Sequence, residues 1–257
     1  MDKINLVLFT NSLEFIQNLN LKYTLKIVFI EKSQISKKIK SFTKFNRIKL
    51  ISVTNNNDIE DIKIEKNLYA ISFGFGIIFK KKIIKKFSKG IWNIHPGKLP
   101  NYRGRHPISW AIINNERNIG ISVHQIDEYI EQGYLIYQLI LTRSIYDNEK
   151  DIYTKIYKKI NYILDKSFKN YFLHKIKKIK KGKYYPSLQD GIKIKNTNYF
   201  KSIKIFNILK SQEIYGGVYL NGIKYKKALF FNKKNLCKYK YYDVLIFKDK
   251  KKLILIK

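Results

Sequence analysis

The 257 residues suffice for one large domain, or one domain with a small appendage. A hydrophobic share of 45% excludes wholesale disorder, the single cysteine (Cys237) excludes a disulfide framework and a cysteine zinc site, and no apolar run reaches the roughly 18 residues of a membrane helix. The net charge of +33 is nearly all lysine in a chain rich in Ile, Asn and Tyr, so compositional drift explains it first and a polyanion-binding surface second.

Residues 4–10, INLVLFT, form a short apolar run ahead of a Ser-Leu-Glu helix start, which predicts a buried strand and then a helix. No basic segment precedes that run, so no signal peptide is expected and the expected compartment is the cytoplasm. Strands are expected at 23–30 and 49–53, a short helix at 58–66, a strand at 68–74, a helix over 79–90 closed by Gly90, and a fifth strand at 91–95. This alternation predicts an α/β fold with a doubly wound, mostly parallel sheet, whose ligand sites lie beyond the carboxyl ends of the strands. A short helix after Trp110, strands at 121–127 and 131–141, and a long amphipathic helix over 151–175 follow. Beyond Tyr199 the texture changes. Asn221-Gly222 reads as the turn of a hairpin over 218–231, and Asp249-Lys250 as a further turn near the end. The expected division is a catalytic domain over 1–190 and a small β-rich domain over 191–257.

The chain's rare residue types gather between Asn93 and Trp110, in NIHPGKLPNYRGRHPISW: three of four prolines, two of four histidines and two arginines. Asn93 and His95 stand two apart on a strand and share a face. An amide donor beside an imidazole suits a carbonyl whose oxygen gains charge, and the imidazole can move a proton near neutral pH. Glu131 and Asp127 are the carboxylates that could support it, and Gly133 would let a ligand or backbone approach closely. The four histidines are scattered without metal spacing, so no metal is expected.

Asn93, His95, Leu99, Pro100 and Gly104 fit the pattern N-x-H-x-x-x-L-P-x-x-x-G, and Glu131-Gln132-Gly133 follows where D-x-G is usual. In these motifs, and over roughly residues 1–190, the chain resembles the 10-formyltetrahydrofolate-dependent formyltransferases. The resemblance implies a Rossmann-like formyltransferase fold, 10-formyltetrahydrofolate as formyl donor, and Asn93, His95 and Glu131 as catalytic residues. It places Phe75, Gly76, Ile77 and Phe79 of ISFGFGIIFK, with His124, Ile126 and Asp127 of the later strand, at the cofactor. Glu131 departs from the family by one methylene. Either a shifted loop accommodates it, or Asp127 or Glu128 substitutes, or activity is impaired and the chain is a binding module of the same fold. Glu131→Asp is accordingly expected to retain or raise activity.

Arg103-Gly104-Arg105, Pro107 and Trp110 form an R-G-R-x-P-x-x-W run, and Tyr184, Tyr185 and Pro186 are followed by Asp190-Gly191. These resemble the sugar-nucleotide N-formyltransferases. The resemblance implies a nucleotide-linked amino sugar as substrate, Pro100, Arg103 and Arg105 at the substrate site, and a homodimer formed through the β appendage. The alternative is a methionyl-tRNA formyltransferase, with tRNA as partner. That group usually carries a longer C-terminal domain and a basic insertion after the second strand.

Overall fold

The computed structural model describes residues 3–188, 192–232 and 239–257. In chain order the elements are β1 (Asn5–Thr10), α1 (Leu13–Asn20), β2 (Thr24–Glu31), α2 (Lys37–Phe45), β3 (Lys49–Val53), α3 (Asn57–Glu60), β4 (Tyr69–Phe73), α4 (Lys81–Lys86) and β5 (Ile91–His95). Then come β6 (Arg103–Gly104), α5 (Pro107–Ile113), β7 (Asn118–Gln125), β8 (Tyr134–Thr142), α6 (Glu149–Phe172), β9 (Lys177–Lys178) and β10 (Tyr184–Tyr185). The last part holds β11 (Lys193–Ile194), α7 (Ser202–Gln212), β12 (Val218–Leu220), β13 (Ile223–Tyr225), β14 (Lys227–Phe230), β15 (Tyr242–Ile246) and β16 (Lys252–Ile256). Among the described residues no helix is long and apolar enough to cross a membrane.

The chain divides into two compact units: Met1–Pro100, Gly120–Leu139 and Ile156–Gly182 form one, and Asn101–Ile119, Ile140–Lys155 and Lys183–Lys257 the other. Asp190 and Gly191, where the sequence places a domain boundary and a motif, lie outside the described residues, as does Cys237.

The first unit is built on an eight-stranded sheet of order β3-β2-β1-β4-β5-β7-β8-β9. The strands from β3 to β5 are mutually parallel, and β7 runs antiparallel to β5. Residues 6–10 of β1 are all buried, as expected of a strand covered on both faces. Phe9 stacks on Phe29 at 4.7 Å and meets Phe79 and Phe87 edge-on, so aromatic packing fixes the loop and helix after β4 onto the sheet. Ile156, Ile160, Ile163, Leu164 and Phe168 form the buried stripe of α6 at helical spacing.

Several boundaries differ from expectation. The strand placed at 131–141 begins only at Tyr134, because Glu131 takes a left-handed φ of 55° in a turn. The helix over 79–90 is shortened to α4. Helix α2 was not predicted: it buries only Ile39 and Thr43 and leaves Phe45 87% exposed, too weak a stripe to read. Its sequence signal is Ser36, whose side chain accepts the Ile39 N–H as an N-cap.

The second unit packs Ile113 of α5 with Ile205, Phe206 and Leu209 of α7 and with Leu253 and Leu255 of β16. Its strands form a sheet of β11-β12-β13, a sheet of β14-β16-β15, and the β6–β10 pair. The hairpin at Asn221-Gly222 is present, both residues having positive φ. The region expected to be β-rich also carries α7. That helix is capped from a distance: Asp249, on the turn between β15 and β16, accepts both the backbone N–H and the hydroxyl of Ser202.

Candidate active site

Strand β5 ends in Asn93 and His95, with Ile94 between them 1% exposed in the packing. The antiparallel register sets Asn93 opposite His124 and His95 opposite Ser122. Asn93, His95 and His124, three of the expected site residues, therefore share one strand pair, all within the first unit.

His124 is 2% exposed, and both ring nitrogens are engaged. Nδ1 lies 3.0 Å from the Gln125 carbonyl, which can only accept, so Nδ1 carries the proton. Burial first, and the neighbouring His95 second, push the His124 pKa down to about 4, so the ring is neutral at physiological pH. Its Nε2 is then an acceptor, and Asn93 Nδ2 donates to it at 3.3 Å. This orients the Asn93 amide, leaving its second N–H as a donor. His124, expected at the cofactor, thus holds the Asn93 amide.

His95 is 4% exposed, and Glu131 Oε1 lies 2.8 Å from its Nδ1. Of the three carboxylates that could support His95, Glu131 alone reaches it. Asp127 accepts from Lys178 Nζ at 2.9 Å and from the Tyr129 N–H at 3.1 Å, while Glu128 pairs with Lys81 at 2.5 Å. Gly133 sets the turn that carries Glu131. A Cβ there would stand 1.9 Å from the Gln125 carbonyl oxygen, so the close approach expected at Gly133 is by backbone.

The segment after β5 is pinned by residues the sequence did not single out. Ser122 Oγ donates to the Gly97 carbonyl at 2.6 Å and accepts the Leu99 N–H at 3.2 Å. Gln138 Nε2 donates to Ser122 Oγ and to the Leu99 carbonyl. Pro100 follows on a cis peptide bond.

Phe75, Ile77 and Ile126 pack on one buried cluster that includes Phe79, so four of the expected cofactor residues join one apolar core. Beside them Ile78 is 72% exposed.

Arg103 and Arg105 belong to the second unit. Arg103 lies on β6, whose N–H donates to the Lys183 carbonyl at 3.1 Å, and Arg105 is exposed. The same unit joins the two motif segments. Trp110 Nε1 donates to the Pro186 carbonyl at 2.9 Å, Asn114 Nδ2 to the Tyr185 hydroxyl at 3.0 Å, and Tyr102 stacks on Tyr185 with ring centroids 5.0 Å apart.

Residues 26–165, more than half of the chain, match the formyl transferase family. A methionyl-tRNA formyltransferase of Buchnera aphidicola is 28% identical over an alignment of 126 residues that covers 44% of this chain and 40% of that one. The chain spans less than half the length of the curated relatives it matches. Two solved structures share the fold over its whole length. One is WlaRD, a sugar 3N-formyl transferase solved in the presence of dTDP and 5-N-formyl-THF: TM-score 0.73, 22% identity, 100% of this chain and 98% of that one. The other is an N-formyltransferase from Helicobacter canadensis in complex with folinic acid and dTDP-3-aminofucose: TM-score 0.74, 21% identity, 100% of both chains.

Proposed function

The chain belongs to the formyl transferase family, and on that premise we propose that it transfers a formyl group from 10-formyltetrahydrofolate to the amine of a nucleotide-linked amino sugar. The observation that carries this is the pair of oriented side chains at the end of β5: Asn93 held by His124, and His95 held by Glu131.

When bound, the folate supplies an activated formyl carbon for attack by an amine. The chain's own residues then have separable tasks. Asn93 offers the N–H that His124 does not use to an oxygen gaining negative charge. His95 meets Glu131 through Nδ1, and an imidazole can give or take a proton at such a site. Glu131 takes the proton that the amine loses, directly or through water. Phe75, Ile77, Phe79 and Ile126 provide the apolar wall for the folate. Arg103 and Arg105 offer planar forks suited to a diphosphate.

The sugar-nucleotide choice draws support from the joined Arg103–Trp110 and Tyr184–Pro186 segments and from the full-length likeness to two sugar-acting folds. The same reading gives the chain a second copy as partner, which sedimentation at graded concentrations checks. The match to methionyl-tRNA formyltransferases keeps tRNA as the second reading.

The test is a transfer assay that follows tetrahydrofolate release, with dTDP-, UDP- and GDP-linked amino sugars and methionyl-tRNA as parallel acceptors. Turnover on one nucleotide sugar is the expected result. Turnover on the tRNA alone overturns the substrate choice. Folate binding without turnover on any acceptor favours the impaired binding module.

A further inference from the structure

A hydrogen-bonded ring at the carboxyl ends of β1, β2 and β4 has no part in the chemistry above. Glu31, the last residue of β2, is half-buried. Its Oε1 accepts the Gly76 N–H at 2.7 Å and also an N–H of the Asn11 amide. The same Asn11 Nδ2 donates to the Gly74 carbonyl at 3.1 Å, and Asn11 Oδ1 accepts the Glu31 backbone N–H at 3.1 Å. Two strand ends are thus tied to both ends of the short Gly74–Gly76 segment. That segment leads into the apolar wall of Ile77 and Phe79.

The two glycines are there for different reasons. Gly74 has a φ of 61°, and a Cβ on it would meet nothing within 4 Å, so it serves conformation. Gly76 has no positive φ, yet a Cβ on it would stand 3.2 Å from each oxygen of the Glu31 carboxylate. It serves space, and what fills that space is Glu31.

We propose that Glu31, assisted by Asn11, is the positioning residue of the cofactor loop: it holds 74–77 in the form that receives the folate, and residue 76 is glycine so that this carboxylate can reach the backbone. The inference rests on the reading that this loop binds a formyl folate.

The test measures binding of 5-formyltetrahydrofolate by calorimetry and amide hydrogen exchange over residues 74–78 of the free protein. The proteins are the wild type, Glu31→Ala, Glu31→Gln, Gly76→Ala and the Glu31→Ala/Gly76→Ala double variant. Glu31→Ala is expected to weaken folate binding by about 10- to 100-fold and to speed exchange of the Gly76 amide at least about tenfold, with the melting temperature nearly unchanged. Glu31→Gln keeps an oxygen for the same two donors and is expected to bind within about threefold of wild type. Gly76→Ala is expected to weaken binding alone but to add less than about twofold on top of Glu31→Ala, since the two act through one contact. Wild-type binding and exchange in Glu31→Ala overturn the inference and leave the functional reading intact. An equal loss from Gly76→Ala in both backgrounds shows that the glycine admits the ligand and overturns the account of residue 76. No folate binding by the wild type overturns the functional reading and this inference together.

Discussion

Glu131 holds a left-handed backbone, φ 55°, and its Oε1 reaches to 2.8 Å from Nδ1 of His95. For a residue with a side chain that backbone costs on the order of 1 kcal/mol, so the surrounding turn must hold it there. Gly133, pressed against the Gln125 carbonyl, is part of what does so. The carboxylate that meets His95 is thus delivered by a glutamate on this turn. The family pattern leads to the expectation of retained or raised activity in Glu131→Asp, and the His95 contact to the opposite; the assay decides between them. Shortening Glu131 to Asp draws the carboxylate back by about one C–C bond, roughly 1.5 Å, beyond hydrogen-bond distance of His95. Glu131→Asp is predicted to lower single-turnover formyl transfer by about 10- to 100-fold, with folate affinity within about threefold. Unchanged turnover in rapid-quench measurements sinks this account of the turn.

Asn93→Ala and His95→Ala each remove one group that the proposed mechanism places at the reacting oxygen. Each is predicted to lower kcat by about 100- to 1,000-fold or more. Circular dichroism should be native in both, because Asn93 is only half-buried and the strand pairing does not depend on either side chain. Full activity in either variant contradicts the assigned roles.

His124 ties stability to pH. Its folded pKa is depressed to about 4 from an ordinary 6.5, chiefly by burial. Between those values the unfolded chain binds the proton and the folded chain does not. Stability from this site is therefore present above pH 6.5 and falls as pH drops towards 4, by about 1.4 kcal/mol per pH unit. Urea unfolding between pH 4.5 and 7 should show that slope. His124→Leu should flatten it and also slow transfer, because it removes the acceptor that orients Asn93. An unchanged slope in the variant assigns the pH dependence elsewhere.

Gly133→Ala places a Cβ 1.9 Å from the Gln125 oxygen, too close for a side-chain adjustment to relieve. The backbone must shift, which is predicted to cost about 2–4 kcal/mol of stability and to carry Glu131 away from His95. Thermal melts with and without folate measure the first effect, and the transfer assay the second. A variant as stable and active as wild type shows that the turn is free to move.

The strand and helix alternation was legible because strands buried on both faces read as continuous apolar runs, as in residues 6–10. Helix α2 was not, because its buried face has only Ile39 and Thr43. Helix α7 was not, because the carboxylate that caps it, Asp249, lies 47 residues away.

The site divides the same way. That Asn93 and His95 share a face follows from the two-residue period of a strand, which any register preserves, and the gathering of scarce residue types between Asn93 and Trp110 marked the region. Which partner each side chain meets depends on chains returning from elsewhere. The antiparallel register of β5 and β7 set His124 beside Asn93, the left-handed turn sent Glu131 rather than Asp127 or Glu128 to His95, and the ends of β1 and β2 brought Asn11 to Gly74 and Glu31 to Gly76. Local periodicity determines which way a side chain points from its own backbone. Only tertiary packing, which fixes register and loop position across tens of residues, determines what it points at.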